Sequence, residues 1–123
     1  NASLTDSSVV FTGYVTDEKL KDYYFKAQGF VYLSLYEGFG LPVLEAMLAR
    51  VPVLTSSTTS LKEVAADFAV LVDPFNIEKI TRAVDGLTSS DINRITEAYK
   101  HAKKFTWDQT AVQLTNYIEE CEK

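Results

Sequence analysis

Two carboxylates, Glu37 and Glu45, bracket a short segment rich in glycine and proline that could bind a ligand. Gly38 and Gly40 have no Cβ atom, so a ligand can approach the backbone closely there. Pro42 suits the first position of a helix, where its missing N–H costs nothing. The unpaired N–H groups at the start of such a helix favour an anion such as a diphosphate. Because carboxylates accept hydrogen bonds from hydroxyls, the segment predicts a ligand with both phosphate and sugar hydroxyl groups.

The segments around this site alternate between predicted strands and helices, which is typical of an α/β fold with a parallel sheet. Residues 30–35 form a nearly continuous apolar run that leads into Glu37, as expected of a strand buried on both faces. A helix is predicted from Pro42 to about Arg50. The predicted strands are residues 8–12, 30–35, 53–55 and 69–72.

Capping residues predict where the other helices begin. Thr16 precedes two acidic residues and predicts a helix that Gly29 ends. The other predicted N-caps are Ser60 with Glu63, Asn76, Ser90, and Thr106 with Gln109.

Most other reactive side chains fit structural roles. Tyrosines and phenylalanines at helical spacing are predicted to lie in the core. His101 stands among three lysines, which predicts a solvated helix face, and Cys121 has no partner and is predicted to be a small packing residue. No cluster of His, Cys and Asp has metal-ligand spacing, so we expect no metal.

Length and charge limit the classes of function. The 123 residues allow one domain, and the net charge of −5 argues against nucleic acid and against a basic membrane-docking face. The single cysteine excludes an intrachain disulfide and is compatible with a reducing cytoplasm. No apolar run approaches the roughly 18 residues of a transmembrane helix.

Residues 37–45 resemble the E-x7-E signature of retaining glycosyltransferases with the GT-B fold, of the family 4 type. Further segments resemble the same family in the same order, so that the likeness runs over most of the chain. They are Val10-Phe11-Thr12-Gly13-Tyr14-Val15, Ser34-Leu35-Tyr36, Pro52-Val53-Leu54-Thr55-Ser56, Ser60-Leu61-Lys62-Glu63-Val64, Val70-Leu71-Val72-Asp73-Pro74 and Phe105-Thr106-Trp107. The chain departs from the family pattern at four positions outside the signature carboxylates, with Leu33 and Lys62 in place of proline and Arg50 and Ala66 in place of glycine.

The resemblance implies roles for the residues of the site. Glu45 would hold the ribose hydroxyls of a nucleotide. Glu37 would be the catalytic residue and face the donor sugar, by positioning its hydroxyls, stabilising positive charge at the anomeric carbon or attacking that carbon. The backbone N–H groups implied to contact the diphosphate and sugar are those of Gly38, Phe39, Gly40 and Leu41. The residues implied to lie near the base are Tyr14 and Val15. The alternatives are a solvated loop glutamate at 37, an ordinary surface glutamate favoured by the helix dipole at 45, a plain strand-to-helix turn at 38–41 and an ordinary strand end at 14–15.

The resemblance also implies the domain organisation. Residues 3–123 would be the later part of a C-terminal, Rossmann-like donor-binding domain. Independently of the resemblance, Asn1 and Ala2 are predicted to be the remnant of a purification tag. We expect a mostly parallel sheet of about four strands flanked by helices, followed by a helical C-terminal segment. In the strand order 3-2-1-4-5-6 of such domains, residues 8–12 would be separated from residues 30–35 by two strands that the chain lacks. Unpaired sheet edges and an exposed face with Trp107, Leu114 and Tyr117 on the last helix therefore predict a homodimer or a swapped assembly.

The implied function is transfer of a hexose from a nucleoside diphosphate sugar to a glycan, lipid or small acceptor, with retention of configuration, in the synthesis of cell-envelope polysaccharide. The nucleotide sugar is the donor substrate, and no cofactor, metal or nucleic acid is expected. The basic residues that clamp the diphosphate and the N-terminal acceptor domain have no counterpart here, so we expect the chain to be inactive alone. The implied location is the cytoplasm or the inner face of the membrane, with membrane contact only through the missing half. A sugar-nucleotide epimerase of similar fold and a non-catalytic pseudo-glycosyltransferase that serves as an interaction module remain alternatives.

Overall fold

A computed structural model describes residues 8–122, and the predicted tag remnant at residues 1–2 lies outside this range. Strands and helices alternate in its first part, and three helices end it. The elements are α1 (Asp17–Lys26), β1 (Phe30–Tyr32), α2 (Leu41–Leu48), β2 (Val53–Ser56), α3 (Thr59–Ala65), a 3-10 turn (Ala66–Phe68), β3 (Val70–Val72), α4 (Ile77–Leu87), α5 (Ile92–Ala102) and α6 (Trp107–Cys121).

The three strands form one parallel sheet in the order β1-β2-β3. This confirms the α/β class and the parallel pairing. Three of the four predicted strands are present, and the predicted strand at residues 8–12 was wrong, because those residues form no strand. A strand needs a neighbour for its backbone hydrogen bonds, and β1 pairs only with β2 among the described residues. The side chains of Val10 and Phe11 are accordingly exposed.

The sheet separates two apolar cores, and β2 contributes to both because successive side chains of a strand point to opposite faces. Val53 belongs to the larger core, which α2, α3 and α5 cover. Leu54 belongs to the smaller core with Val72 and Leu87 of α4. Every residue of β2 is buried, as is typical of a central parallel strand. Burial on both faces was predicted for residues 30–35 and was wrong there, because β1 spans only Phe30–Tyr32, lies at the edge of the described sheet and leaves Val31 exposed.

Most predicted caps are confirmed, and two are wrong by one or two residues. The side chains of Thr16, Asn76 and Thr106 each accept a hydrogen bond from the backbone N–H three residues later. Thr58 rather than Ser60 precedes α3, and Asp91 rather than Ser90 caps α5. The Ser60 side chain instead contacts the candidate site, as described below.

Gly29 is needed for packing rather than for ending α1. The helix ends at Lys26, with Ala27 as its C-cap. A Cβ atom on Gly29 would lie 2.7 Å from Cδ2 of Leu87, which is buried against the sheet.

His101 was predicted to lie on a solvated helix face, and this prediction was wrong. Its ring is half-buried, with Nε2 2.8 Å from the carbonyl oxygen of Val64 and ring contacts to Phe68 and Phe105. Cys121 is exposed, so its predicted packing role was also wrong. No helix within residues 8–122 is long and apolar enough to cross a membrane.

Two of the positions that depart from the family pattern have a backbone conformation that favours glycine. Arg50 has φ of 60° after α2, and Ala66 has φ of 46° with ψ of −135° after α3. A side chain at positive φ crowds the backbone. Both positions carry glycine in the family pattern, and the positive φ explains that preference.

Replacing Ala66 with glycine is expected to raise the free energy of unfolding by about 1 kcal/mol. Relief of a strained backbone stabilises the folded state by about 1–3 kcal/mol. Part of this gain is lost because glycine makes the unfolded chain more flexible. Thermal or urea unfolding would measure the change. The matched control is Ala111→Gly in the exposed middle of α6, where the same substitution should lower stability by about 1 kcal/mol. Destabilisation by both substitutions would show that Ala66 is not strained.

Candidate functional site

The candidate site lies where the chain passes from β1 into α2. Residues 33–40 connect the two elements, and we call the last four of them, residues 37–40, the motif loop. In parallel α/β sheets, ligands bind outside the carboxyl ends of the strands, where such loops lie. The loop and α2 therefore bring together Glu37, Gly38, Phe39, Gly40, Leu41 and Glu45 as predicted from the sequence spacing.

Glu37 is held at both its side chain and its backbone. Its Oε1 accepts a hydrogen bond from the Tyr32 hydroxyl at 2.6 Å, and its carbonyl oxygen accepts one from Oγ of Ser60 at 2.8 Å. The hydrogen bond from Tyr32, joined by one from the Ser34 side chain, lowers the pKa of Glu37. The carboxylate is thus kept ionised and acts as a hydrogen-bond acceptor. A freely solvated loop glutamate, the alternative from sequence, would have none of these contacts.

Glu45 lies on the exposed side of α2, whose opposite side enters the larger core through Val43, Ala46 and Met47. Its Oε2 accepts a hydrogen bond from the Tyr24 hydroxyl of α1 at 3.0 Å. A carboxylate has about four acceptor positions. One tyrosine therefore leaves enough of them for two neighbouring hydroxyls of a ligand.

The N-terminus of α2 has no side-chain cap. Gly40 is the N-cap residue, has φ of 101° and provides no side-chain acceptor for the first N–H groups. A Cβ atom at Gly40 would also lie 2.6 Å from Cδ2 of the buried Leu61. Pro42 is the second rather than the first residue of α2 and has no N–H group, and the N–H of Val43 donates to the Gly40 carbonyl oxygen at 3.0 Å. The N–H of Leu41 and the helix dipole favour an anion at this end of α2.

Neither the backbone conformation nor the packing requires glycine at position 38. Its φ is not positive, and a Cβ atom there would meet no atom within 4 Å. The missing side chain leaves room for a ligand to approach the backbone closely.

Gly38→Ala is therefore expected to weaken donor binding at least about tenfold while changing the free energy of unfolding by less than about 1 kcal/mol. Donor titration by calorimetry and urea unfolding would measure the two effects. Gly40→Ala is the contrasting variant, expected to lose about 2 kcal/mol of stability because it forces a side chain into both positive φ and Leu61. Unchanged donor affinity in the alanine variant of Gly38 would show that no ligand contacts this backbone.

A cavity of about 470 Å³ opens beside Glu45, between α1 and α2. Asp17, Lys21 and Tyr24 of α1 supply its polar groups, and Leu20, Phe25, Leu48 and Ala49 supply apolar ones. Val15, which the resemblance places near the base, is half-buried two residues before Asp17. Tyr14 is 95% exposed, and its predicted role stays a prediction.

Phe39 and Leu41 face the other side of the motif loop. Phe39 packs edge-on against Phe105 with ring centroids 5.9 Å apart. Both residues line a second, more apolar cavity of about 440 Å³, together with Leu44, Thr106, Trp107 and Thr110.

Three residues that contact the site were not predicted from the sequence: Tyr24, Tyr32 and Ser60. Tyr24 precedes Glu45 by 21 residues, a separation that no local pattern links. A signal existed for Tyr32, because a tyrosine in a buried strand needs a partner for its hydroxyl. Among residues 8–122, no group of three or more acidic, histidine or cysteine side chains could hold a metal ion.

Comparison with known proteins identifies the family. The family described as glycosyl transferases group 1 matches residues 3–105. The chain belongs to this family. Its Glu37, Gly40 and Glu45 are therefore parts of a group 1 glycosyltransferase domain, as the resemblance implied.

Relatives and a structural neighbour agree with this group 1 assignment. The O-antigen chain mannosyltransferase B of Escherichia coli is 41% identical over 109 residues, which are 86% of this chain and 29% of that protein. The serotype-specific mannosyltransferase WbdA of Escherichia coli is 39% identical over 88% of this chain and 14% of that protein. The solved structure of a sucrose-phosphate synthase from Thermosynechococcus elongatus superposes with a TM-score of 0.72 at 25% identity, covering 92% of this chain and 30% of that one. The group 1 chain thus spans less than a third of the length of these proteins.

Proposed function

We propose that this chain is the donor-binding part of a retaining glycosyltransferase that transfers a hexose from a nucleoside diphosphate sugar to a glycan, lipid or small acceptor. One observation carries the proposal. Within a group 1 domain, two carboxylates flank an uncapped helix N-terminus at the carboxyl end of the sheet. Such an arrangement suits a ligand with a diphosphate between two sets of hydroxyl groups.

Each part of the donor has a matching group in this site. The diphosphate binds the backbone N–H groups of the motif loop and of Leu41 at the start of α2, and the ribose hydroxyls bind Glu45. The nucleoside extends into the cavity beside Glu45, where Asp17 and Lys21 offer an acceptor and a donor. The hexose lies toward Glu37.

Negative charge grows on the diphosphate as it leaves, and oriented N–H groups stabilise it. Glu37, kept ionised by Tyr32, accepts hydrogen bonds from the sugar or stabilises positive charge at the anomeric carbon. We propose that no metal or cofactor takes part.

Mannose is the hexose that the relatives favour, since both Escherichia coli proteins are named mannosyltransferases and one is named for the O-antigen chain. We therefore propose mannosyl transfer in the synthesis of a cell-envelope polysaccharide. An acceptor domain outside this chain is the other partner, because the relatives are more than three times as long. We propose action in the cytoplasm, including the inner face of the membrane.

We also propose that the 123-residue chain self-associates when it is produced alone. Trp107, Leu114 and Tyr117 of α6 are exposed, and the outer edge of β1 has no partner strand among residues 8–122. Sedimentation velocity of the isolated chain should show a dimer, which Leu114→Glu weakens and Gln113→Glu on the same helix does not. A monomer at all concentrations would refute self-association.

A donor panel tests the proposed reaction. The longer protein that contains this chain is given a nucleoside diphosphate mannose whose bond to the diphosphate is axial (α). It should release nucleoside diphosphate and form an α-linked product. Chelation of metals should leave the rate unchanged. The 123-residue chain alone should bind donor weakly and transfer nothing. Interconversion of donor sugars without transfer would instead identify an epimerase, and absence of donor binding would favour an interaction module.

A further inference from the structure

Three aromatic rings connect the two carboxylates of the site beneath the motif loop. Tyr24 of α1 and Phe30 of β1 have ring centroids 5.4 Å apart, and Phe30 and Tyr32 are stacked at 6.0 Å. We call these three residues the aromatic row. The hydroxyl at one end donates to Glu45, and the hydroxyl at the other end donates to Glu37.

The aromatic row is anchored in the body of the domain. All three rings pack against the larger core. The backbone of Tyr32 is fixed further by Oγ1 of the buried Thr55, which donates to its carbonyl oxygen at 2.8 Å. Aromatic side chains have only two rotatable bonds, so their hydroxyls are placed with little loss of entropy. Each carboxylate is thereby tied to a rigid support.

We propose that Tyr24 and Tyr32 are positioning residues, joined through Phe30, that fix Glu45 and Glu37 in the orientations that receive the donor. This inference rests on the proposed function and adds residues that the signature of the family does not contain. Tyr24 acts through Glu45 on the nucleotide end of the donor. Tyr32 acts through Glu37 on the sugar end.

The protonation states fit this role. Burial, together with the hydrogen bond to Glu45, raises the pKa of the Tyr24 hydroxyl. The hydrogen bond to Glu37 raises the pKa of the Tyr32 hydroxyl. Both tyrosines therefore remain donors over the working pH range, and Glu37 remains an acceptor that does not supply a proton. Tyr32 is the titratable group that contacts the Glu37 carboxylate, and the Ser34 hydroxyl also donates to it. The Ser60 hydroxyl donates to the backbone carbonyl oxygen of Glu37.

The first test needs no donor. Carboxyl carbon NMR of the 123-residue chain would follow the titration of Glu37 in the wild type, in Tyr32→Phe and in Tyr23→Phe. Tyr23 neighbours Tyr24 on α1 and is 43% exposed, so it is the matched control. We expect the Glu37 midpoint to rise in Tyr32→Phe alone. If Tyr32→Phe folds poorly, the reciprocal variant tests the same contact. Glu37→Gln should lower the midpoint at which the Tyr32 hydroxyl titrates. Unchanged midpoints in both experiments would overturn the inference.

The second test uses the longer enzyme. Tyr32→Phe should lower kcat about three- to tenfold at constant donor KM, and the acid limb of its pH profile should move to higher pH. Tyr24→Phe should raise donor KM about three- to tenfold at constant kcat. A purely structural role would alter both parameters through folding and would not separate them. If wild-type enzyme fails to bind donor, the proposed function is wrong while the NMR result stands. If it binds donor and both variants behave like Tyr23→Phe, only the positioning role is wrong.

Discussion

Glu37→Gln is expected to lower kcat of the longer enzyme by about 10²–10³ while donor KM changes by less than about threefold. Glutamine has the same size and can still accept from Tyr32, so the change removes only the charge and one acceptor. A charge that matters most as the anomeric carbon becomes positive acts on the transition state more than on the bound donor. Steady-state kinetics with varied donor would measure both parameters.

Glu63→Gln is the control, because Glu63 is an exposed glutamate of α3. It should leave both kinetic parameters of the enzyme unchanged. Binding of the free nucleoside diphosphate, which lacks the hexose, should also be unchanged in Glu37→Gln. A variant that loses donor affinity but retains kcat would place Glu37 at the nucleotide rather than at the sugar.

Glu45→Ala is expected to raise donor KM and the dissociation constant of the free nucleoside diphosphate together, by about 10- to 100-fold. The estimate follows from about 1.5–3 kcal/mol for a hydrogen bond to a charged group. Because the ribose contact exists in both the bound donor and the transition state, kcat should change little. Calorimetry with the nucleoside diphosphate and kinetics with the donor sugar would measure the pair.

Glu78→Ala provides the comparison for this second substitution, since Glu78 is an exposed helix glutamate in the first turn of α4. It should leave both constants unchanged. If Glu45→Ala weakened the donor sugar but not the free nucleoside diphosphate, Glu45 would contact the hexose and the two assignments would have to be exchanged.

Local chemistry predicted much of this fold. Side-chain caps at Thr16, Asn76 and Thr106 depend only on the next three residues, and the structure has all three. The strand within residues 30–35 was predictable from its continuous apolar run, and β1 begins there, but the predicted burial of both its faces was wrong. The position of Glu37 and Glu45 on either side of a helix start follows from the same short-range spacing.

The remainder depends on neighbours that are distant in sequence. Residues 8–12 have the composition of a strand but no partner among the described residues. Ser60 has the spacing of a capping residue, yet its hydroxyl donates to Glu37, 23 residues away. His101 lies among lysines in sequence, but its ring meets Phe68 and Phe105 in space. Such contacts are set by tertiary packing, which propensity does not describe.

The hydrogen bonds of Tyr24 and Tyr32 to the two carboxylates are also set by tertiary packing. Tyr24 and Tyr32 were predicted only as core residues, and their rings do pack on the core. What the sequence did not indicate is where their hydroxyls point. That direction links the core of the domain to its chemistry.

The most direct test of the account is a crystal structure of the longer protein with an intact nucleoside diphosphate mannose. The diphosphate should lie at the N-terminus of α2, with both ribose hydroxyls within hydrogen-bond distance of Glu45 and the hexose beside Glu37. Tyr24 and Tyr32 should still contact the two carboxylates. A donor bound away from α2, or with its ribose out of reach of Glu45, would contradict the account.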